Sequence, residues 1–242
     1  MELLHTLYKI NSKSGNEAAI KNFVRTYLAG MCVDIRSDEF GNLFITKGVA
    51  KEYPCVVAHL DEVHNVDDRQ IVVDGDMIYA TDSHGNRVGV GADDKNGVWI
   101  ALRLLEAKAV LKVALFVDEE KLNGEAGCRG SRACNLAEFD DVKCLLQCDR
   151  RGASDVVAEG KGGIRLCEDG FIPQAILDRY GYQYTTGGRT DVVALRERGL
   201  LKNSCNISCG YYNAHKDDEY TLFSELQNAL RFVSHVVDYF NE

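Results

Sequence analysis

YPCVVAHLDEVH, residues 53–64, is the stretch on which the fold turns. From Tyr53 to Ala58 it is an uninterrupted apolar run, too short for a helix and centred on β-branched valines. That pattern reads as a strand buried on both faces. At His59 the run turns polar. In open α/β sheets ligands bind at the carboxyl ends of strands, so chemistry is expected there. The pattern recurs in KVALFVDEE (112–120), which closes on Glu119 and Glu120, and in KCLLQCD (143–149), which closes on Asp149. CNISCG (205–210) reads as a further strand.

Between these runs the period changes to that of helices. Leu3, Leu4, Leu7, Tyr8 and Ile10 share one helical face, and after the SKSGNE turn Ile20, Phe23, Val24, Tyr27 and Leu28 share another. GVGADDKNGV (89–98) opens a helix through Ile100, Ala101, Leu104 and Leu105. FIPQAILDRYG (171–181) reads as a short helix and LFSELQNALRFVSHVVDYF (222–240) as a long amphipathic one. CVDIRSDEFGNLFITKG (32–48) reads as two strands about Gly41 and Asn42, and short strands follow from about Gln70 to Ala80. Residues 150–170 are glycine-rich and read as a hairpin or loop. The expected fold is a three-layer α/β/α sandwich on a mixed, mostly parallel sheet, with residues 1–242 as one domain.

The net charge of −9, without a basic run, argues against nucleic-acid and anionic-membrane partners. Nine cysteines, an odd number in no dense framework, are expected to be mostly reduced thiols. The N-terminal stretch lacks a basic segment followed by an apolar core, and no run of about 18 apolar residues occurs. A cytoplasmic protein is the resulting expectation.

The candidate chemistry sits at element ends. His59 and Asp61 form an H-x-D pair in which a carboxylate can hold the ring nitrogen that a metal leaves free. Asp93 and Asp94 stand side by side at a helix start, where one acid is an ordinary first-turn residue but two suggest a cation. Glu119 and Glu120 offer the two carboxylate roles of metal-assisted hydrolysis, one binding an ion and one moving protons. Asp149 follows a buried strand, and His215 lies in the polar loop GYYNAHKDDEY. Each has an ordinary structural role open to it as a cap, turn or solvated loop residue. Together they form a mixed oxygen and imidazole set suited to two cations sharing a carboxylate. Cys144 and Cys148, and Cys205 and Cys209, are spaced four apart on strands, where core packing is the expected role.

In these motifs the chain resembles the co-catalytic zinc exopeptidases, in particular the peptidase T branch with carboxypeptidase G-type enzymes and aminoacylases. The matching stretches are SGNE (14–17), Asp38 with GNL (41–43), AHLDEV (58–63), GADDKNG (91–97), DEE (118–120), Asp149, GGRTD (187–191) and GYYNAHKDDEY (210–220). The resemblance implies two zinc ions per chain, with cobalt or manganese as possible replacements. His59 and Asp149 would hold one, Glu120 and His215 the other, and Asp93 would bridge them. It also implies a cis peptide between Asp93 and Asp94, Asp61 orienting His59, and Glu119 as general base toward an activated water. The reaction implied is hydrolysis of a peptide or related amide bond near a chain end, with aminopeptidase or di-/tripeptidase activity. An N-acyl amino acid deacylase and a non-catalytic binding protein are the alternatives.

Arg189 and Asp191, in the loop after Gly187, are expected near substrate. Larger members of the branch insert a lid and dimerisation domain between the last aspartate ligand and this loop, but here only residues 150–186 intervene. A lid is therefore not expected. His64, His84, Arg189 and Tyr211 are the candidates to replace the histidine a lid supplies. Arg150 and Arg151 are expected as a solvated turn or as contacts to an acidic substrate terminus.

Overall fold

The computed structural model describes residues 1–120 and 127–242. Helices α1 (Glu2–Lys9) and α2 (Ala18–Leu28) precede strands β1 (Val33–Ser37), β2 (Leu43–Lys47) and β3 (Tyr53–His59). Three short strands, β4 (Gln70–Asp74), β5 (Met77–Thr81) and β6 (Arg87–Val88), lead to α3 (Ala92–Ala107) and β7 (Leu111–Phe116). Next come α4 (Arg129–Ala133), β8 (Val142–Arg150), β9 (Asp155–Gly160), β10 (Ile164–Arg165), α5 (Gln174–Tyr180) and β11 (Gln183–Thr186). The order closes with α6 (Asp191–Glu197), β12 (Asn203–Ser208), β13 (Tyr211–Tyr212), β14 (Tyr220–Leu222) and α7 (Phe223–Asn241).

The main sheet runs β1-β2-β7-β3-β8-β12-β9-β10, with β11 also paired to β9. Its centre, β7-β3-β8-β12, is parallel, whereas β1, β2 and β10 pair antiparallel at the flanks and β9 meets β12 antiparallel. The sheet is thus mixed, and the parallel part lies where helices cover both faces. Along β3, Val56 and Ala58 face one core, while Cys55 and Val57 face the other. On β7, Val113 and Leu115 oppose Ala114 and Phe116 in the same way. Two buried faces explain why these strands read as unbroken apolar runs rather than alternating ones. The larger core packs buried residues of α1, α2, α3, α5 and α7, the smaller one those of α6, giving three layers. All nine cysteines are free, and eight are buried, including the four members of the two spaced pairs.

A second sheet, β13-β14-β5-β4 with β6 on β5, stands beside the first. Its β13–β14 connection carries His215 over the carboxyl ends of the main strands. Residues 150–186, between the last expected aspartate ligand and the 187–191 loop, form β9, β10, α5 and β11; the three strands belong to the main sheet. Among the described residues no helix is long and apolar enough to cross a membrane.

Candidate metal centre

His59 ends β3 and is 1% exposed, and its Nε2 lies 3.2 Å from Asp93 Oδ1 and 3.7 Å from Asp149 Oδ1. The other oxygen of Asp93, Oδ2, lies 3.2 Å from His215 Nε2, which is 2.8 Å from Glu120 Oε1. Asp93 therefore presents one carboxylate oxygen to each of two ligand groups, His59 with Asp149 and Glu120 with His215. These five residues come from the ends of β3, β8 and α3, from the segment after β7 and from the β13–β14 loop.

The two adjacent aspartates have separate jobs. The peptide between Asp93 and Asp94 is cis, and α3 is regular only beyond Asp94. Asp93 faces the centre. Asp94 turns to the backbone, accepting from His59 N at 3.1 Å and from Gly97 N at 3.0 Å, and so ties the start of α3 to the end of β3. Glu219, which the sequence reading passed over, accepts from Gly91 N at 2.7 Å and Asp93 N at 3.0 Å. Gly91 itself has φ +71 and leaves no room for a Cβ beside the Glu62 carboxylate.

Asp61 fixes the other half of the site. Its carboxylate accepts from the backbone N–H groups of Glu119 and Glu120, each at 2.9 Å, and from the Ser14 hydroxyl, while His59 Nδ1 faces the Asp61 backbone carbonyl at 3.0 Å and the carboxylate Oδ1 at 3.4 Å. The Glu119 carbonyl accepts from Cys128 N at 2.7 Å, so this residue is held from both sides. The Cys128 thiol in turn donates to Glu119 Oε1 at 3.1 Å. Asn42, of the GNL motif, accepts from Val117 N and donates to Gly130 O, bracing the same exit from β7. Asp149 is braced by Asn206, whose amide bonds its N–H and carbonyl at 3.0 and 2.7 Å, and its Oδ1 accepts from the Tyr211 hydroxyl at 3.3 Å. Behind the centre, buried Glu62 accepts from Lys95 Nζ at 2.5 Å and Arg69 Nη2 at 2.6 Å.

The electrostatics of the cluster are short of positive charge. Burial and the Asp93 charge push Asp149 up to about 8, and the same two causes raise Glu120. Burial, then the charges of Asp191, Asp149 and Glu120, raise Glu119 against the pull of His59. Asp93 is held down, against its burial, by His215 and His59. Bonds to Asp93 and Glu120 push His215 up to about 11, and Asp149, Asp61 and Asp93 raise His59 despite its burial. Carboxylates this close either share protons or bind a cation. The oxygen and imidazole donor set fits hard or borderline divalent ions.

A cavity of about 710 Å³ opens over this floor, lined by Glu119, Glu120, Asp149, Tyr211 and His215 among others. Of the expected substrate residues, Arg189 lies on its wall, with Nη2 2.9 Å from Glu197 Oε1. Asp191 does not reach the wall. It is wholly buried as the first residue of α6, with Gln147 Nε2 3.3 Å from its Oδ2, because Gln147 draws the α6 N-terminus under the floor. Of the candidates for the lid histidine's place, Tyr211 and Arg189 line the cavity, whereas His64 packs against Gly89 and His84 lies in the β5–β6 turn. Arg150 and Arg151 line the cavity too.

No protein-family model matches the chain, and no curated protein matches it in sequence. Solved structures do. The aminopeptidase PepT of Bacillus cereus superposes with a TM-score of 0.81 at 14% identity, covering 99% of this chain and 97% of that one. A tripeptidase of Staphylococcus aureus gives 0.79 at 13%, covering 98% and 96%. The TET1 peptidase of Pyrococcus horikoshii, which assembles into a tetrahedron or a large octahedral shell, gives 0.73 at 15%, covering 98% of each chain. The chain has the fold of these peptidases.

Proposed function

We propose that this chain, built on the fold of those peptidases, is a metal-dependent exopeptidase of the co-catalytic superfamily, cleaving an amide bond near the end of a short peptide. The observation that carries the reading is Asp93, one oxygen toward His59 and Asp149 and the other toward Glu120 and His215. Two divalent ions, for which the oxygen and imidazole donors suit zinc, cobalt or manganese, would be held by these five residues. When bound they would polarise the scissile carbonyl and lower the pKa of an attacking water.

The chain's own residues supply the rest. Glu119 reaches the cavity without being needed as a ligand, and its raised pKa suits a group that takes a proton from water and passes it to the leaving amine. Asp61 is a positioning residue: its carbonyl, 3.0 Å from Nδ1, orients His59, and its carboxylate fixes the backbone of both glutamates. Tyr211 lines the cavity and donates its hydroxyl to Asp149 Oδ1 at 3.3 Å; turned from that partner, it would serve a developing oxyanion.

The test is hydrolysis of free-amine di- and tripeptides and of N-acyl amino acids by zinc-loaded protein, beside Glu119→Gln. Peptide turnover that falls about 10²–10⁴-fold in the variant is expected, the usual contribution of a general acid–base. Equal turnover by the variant overturns the assignment. Cleavage of acylated amino acids alone moves it to a deacylase.

A further inference from the structure

The cavity wall away from the carboxylate floor is basic. Arg150 and Arg151 leave the end of β8, Lys161 sits in the β9–β10 turn, and Arg189 lies in the loop before α6; all four line the cavity that also holds Glu119. The wall is assembled by backbone contacts between distant segments. Lys161 N donates to Gly188 O at 3.1 Å and Gly187 N to Glu159 O at 2.8 Å, which sets the hairpin turn beside the 187–190 loop. Two of the four cations have protein partners: Arg150 Nη2 is 3.1 Å from Asp155 Oδ2 and Arg189 Nη2 is 2.9 Å from Glu197 Oε1. Arg151 and Lys161 are exposed and, among the described residues, make no ion pair.

In a chain of net charge −9, four cations around one opening are not the average surface. They do not neutralise the carboxylate floor either, since the ion pairs they make are with Asp155 and Glu197. We infer that Arg151 and Lys161 form a subsite for a carboxylate on the substrate, a short distance from the scissile amide, with Arg150 and Arg189 held beside them by their partners. The inference rests on the hydrolase reading and narrows it to short acidic or free-carboxylate substrates. A cavity of about 710 Å³ lies within the roughly 300–1,000 Å³ of small-ligand sites, so one short peptide can span from floor to wall. The carboxylate has two possible sources, the peptide's own C-terminus or an acidic side chain. Both offer the same planar anion to a guanidinium and an ammonium.

Calorimetric titration separates this from the hydrolase reading, because zinc-loaded Glu119→Gln can bind without turning over. The probes are Leu-Gly-Gly, its C-terminal amide, and the amide of Leu-Gly-Glu. Leu-Gly-Gly is expected to bind about tenfold tighter than its amide, at roughly threefold for each of two exposed charge contacts. Arg151→Ala with Lys161→Ala in the same background is expected to erase that difference. Both side chains are exposed, so folding is not at stake. If the Leu-Gly-Glu amide regains the tight binding, an acidic side chain serves; if it does not, the C-terminus is the source. Equal binding of acid and amide, binding of neither, or an equal loss for both in the double variant would overturn the subsite. Discrimination by Glu119→Gln with no peptide turnover by wild type would instead retain the subsite and overturn the peptidase reading.

Discussion

Replacing Asp61 by asparagine tests how the centre is held together. The aspartate accepts from Glu119 N and Glu120 N at 2.9 Å each and from the Ser14 hydroxyl, and faces His59 Nδ1 at 3.4 Å. Burial works against this carboxylate, but the His59 ring, the Ser14 hydroxyl and the Glu119 N–H outweigh it and hold its pKa below the usual range. Asparagine keeps the shape and converts one acceptor to a donor. Whichever way the amide lies, one of the two glutamate N–H groups then faces an N–H₂. A buried donor left unsatisfied costs about 1–3 kcal/mol, and the remaining bonds lose their charge assistance at about 1 kcal/mol. A loss of about 3 kcal/mol corresponds to a Tm about 6–12 °C lower for a chain of this length. Zinc affinity should fall about 10–100-fold through the displaced Glu120, since the Asp61 carbonyl that faces His59 Nδ1 at 3.0 Å is retained. Turnover should fall at least about 100-fold, the usual effect of displacing a reacting group by about 1 Å. Thermal unfolding and metal titration of purified Asp61→Asn measure both. A variant with wild-type Tm and wild-type zinc affinity would refute the positioning role.

Other consequences are equally open to measurement. Chelation should lower Tm: ligand at 100 times its Kd contributes about 2.7 kcal/mol, or about 5–11 °C here, and an unchanged Tm would argue against a metal site. Glu62→Gln leaves Lys95 and Arg69 buried without their carboxylate and should cost about 3–5 kcal/mol in denaturant unfolding. Glu62 also predicts a pH effect. Burial opposes its charge, but Lys95 and Arg69 outweigh burial and hold its pKa below the ordinary value, so its contribution is full above about 4.5 and is lost as pH falls below that. Burial, with the Arg69 charge beside it, pulls Lys95 down to about 8 against the attraction of Glu62; Lys95 therefore titrates on the basic limb, and the acid limb reports Glu62. Glu62→Gln should flatten that limb, and an identical acid profile would count against it. Glu219→Ala frees the N–H groups of Gly91 and Asp93 and should weaken zinc binding about 10–100-fold, as read by competition with a chelating dye.

The central strands and long helices were legible because their buried faces leave a period in the sequence. β3, β7 and β8 are apolar throughout since both faces are covered, and α7 shows one apolar stripe since one face is. The short elements α4, α6 and β11 were not read, because four to seven residues hold too little of either period. The site residues could be picked out as polar residues at strand ends, but not their braces. Glu219 reaches Asp93 across 126 positions and Asn206 reaches Asp149 across 57, and no local pattern encodes either contact. Asp191 was placed near substrate because its motif lies beside the site, whereas Gln147 holds its side chain under the floor. Of the basic wall, Arg150, Arg151 and Arg189 were legible as candidate substrate contacts, and only Lys161 was hidden by the same limit. Lys161 and Arg189 are separated by 28 positions, and their segments lie side by side where β9 pairs with β11 and Lys161 N bonds Gly188 O.

The most direct test is anomalous diffraction at the zinc edge from crystals of zinc-loaded protein. Two peaks are predicted, one among His59, Asp93 and Asp149 and the other among Asp93, Glu120 and His215. Density for zinc elsewhere, with these five side chains bound to none, would contradict the account.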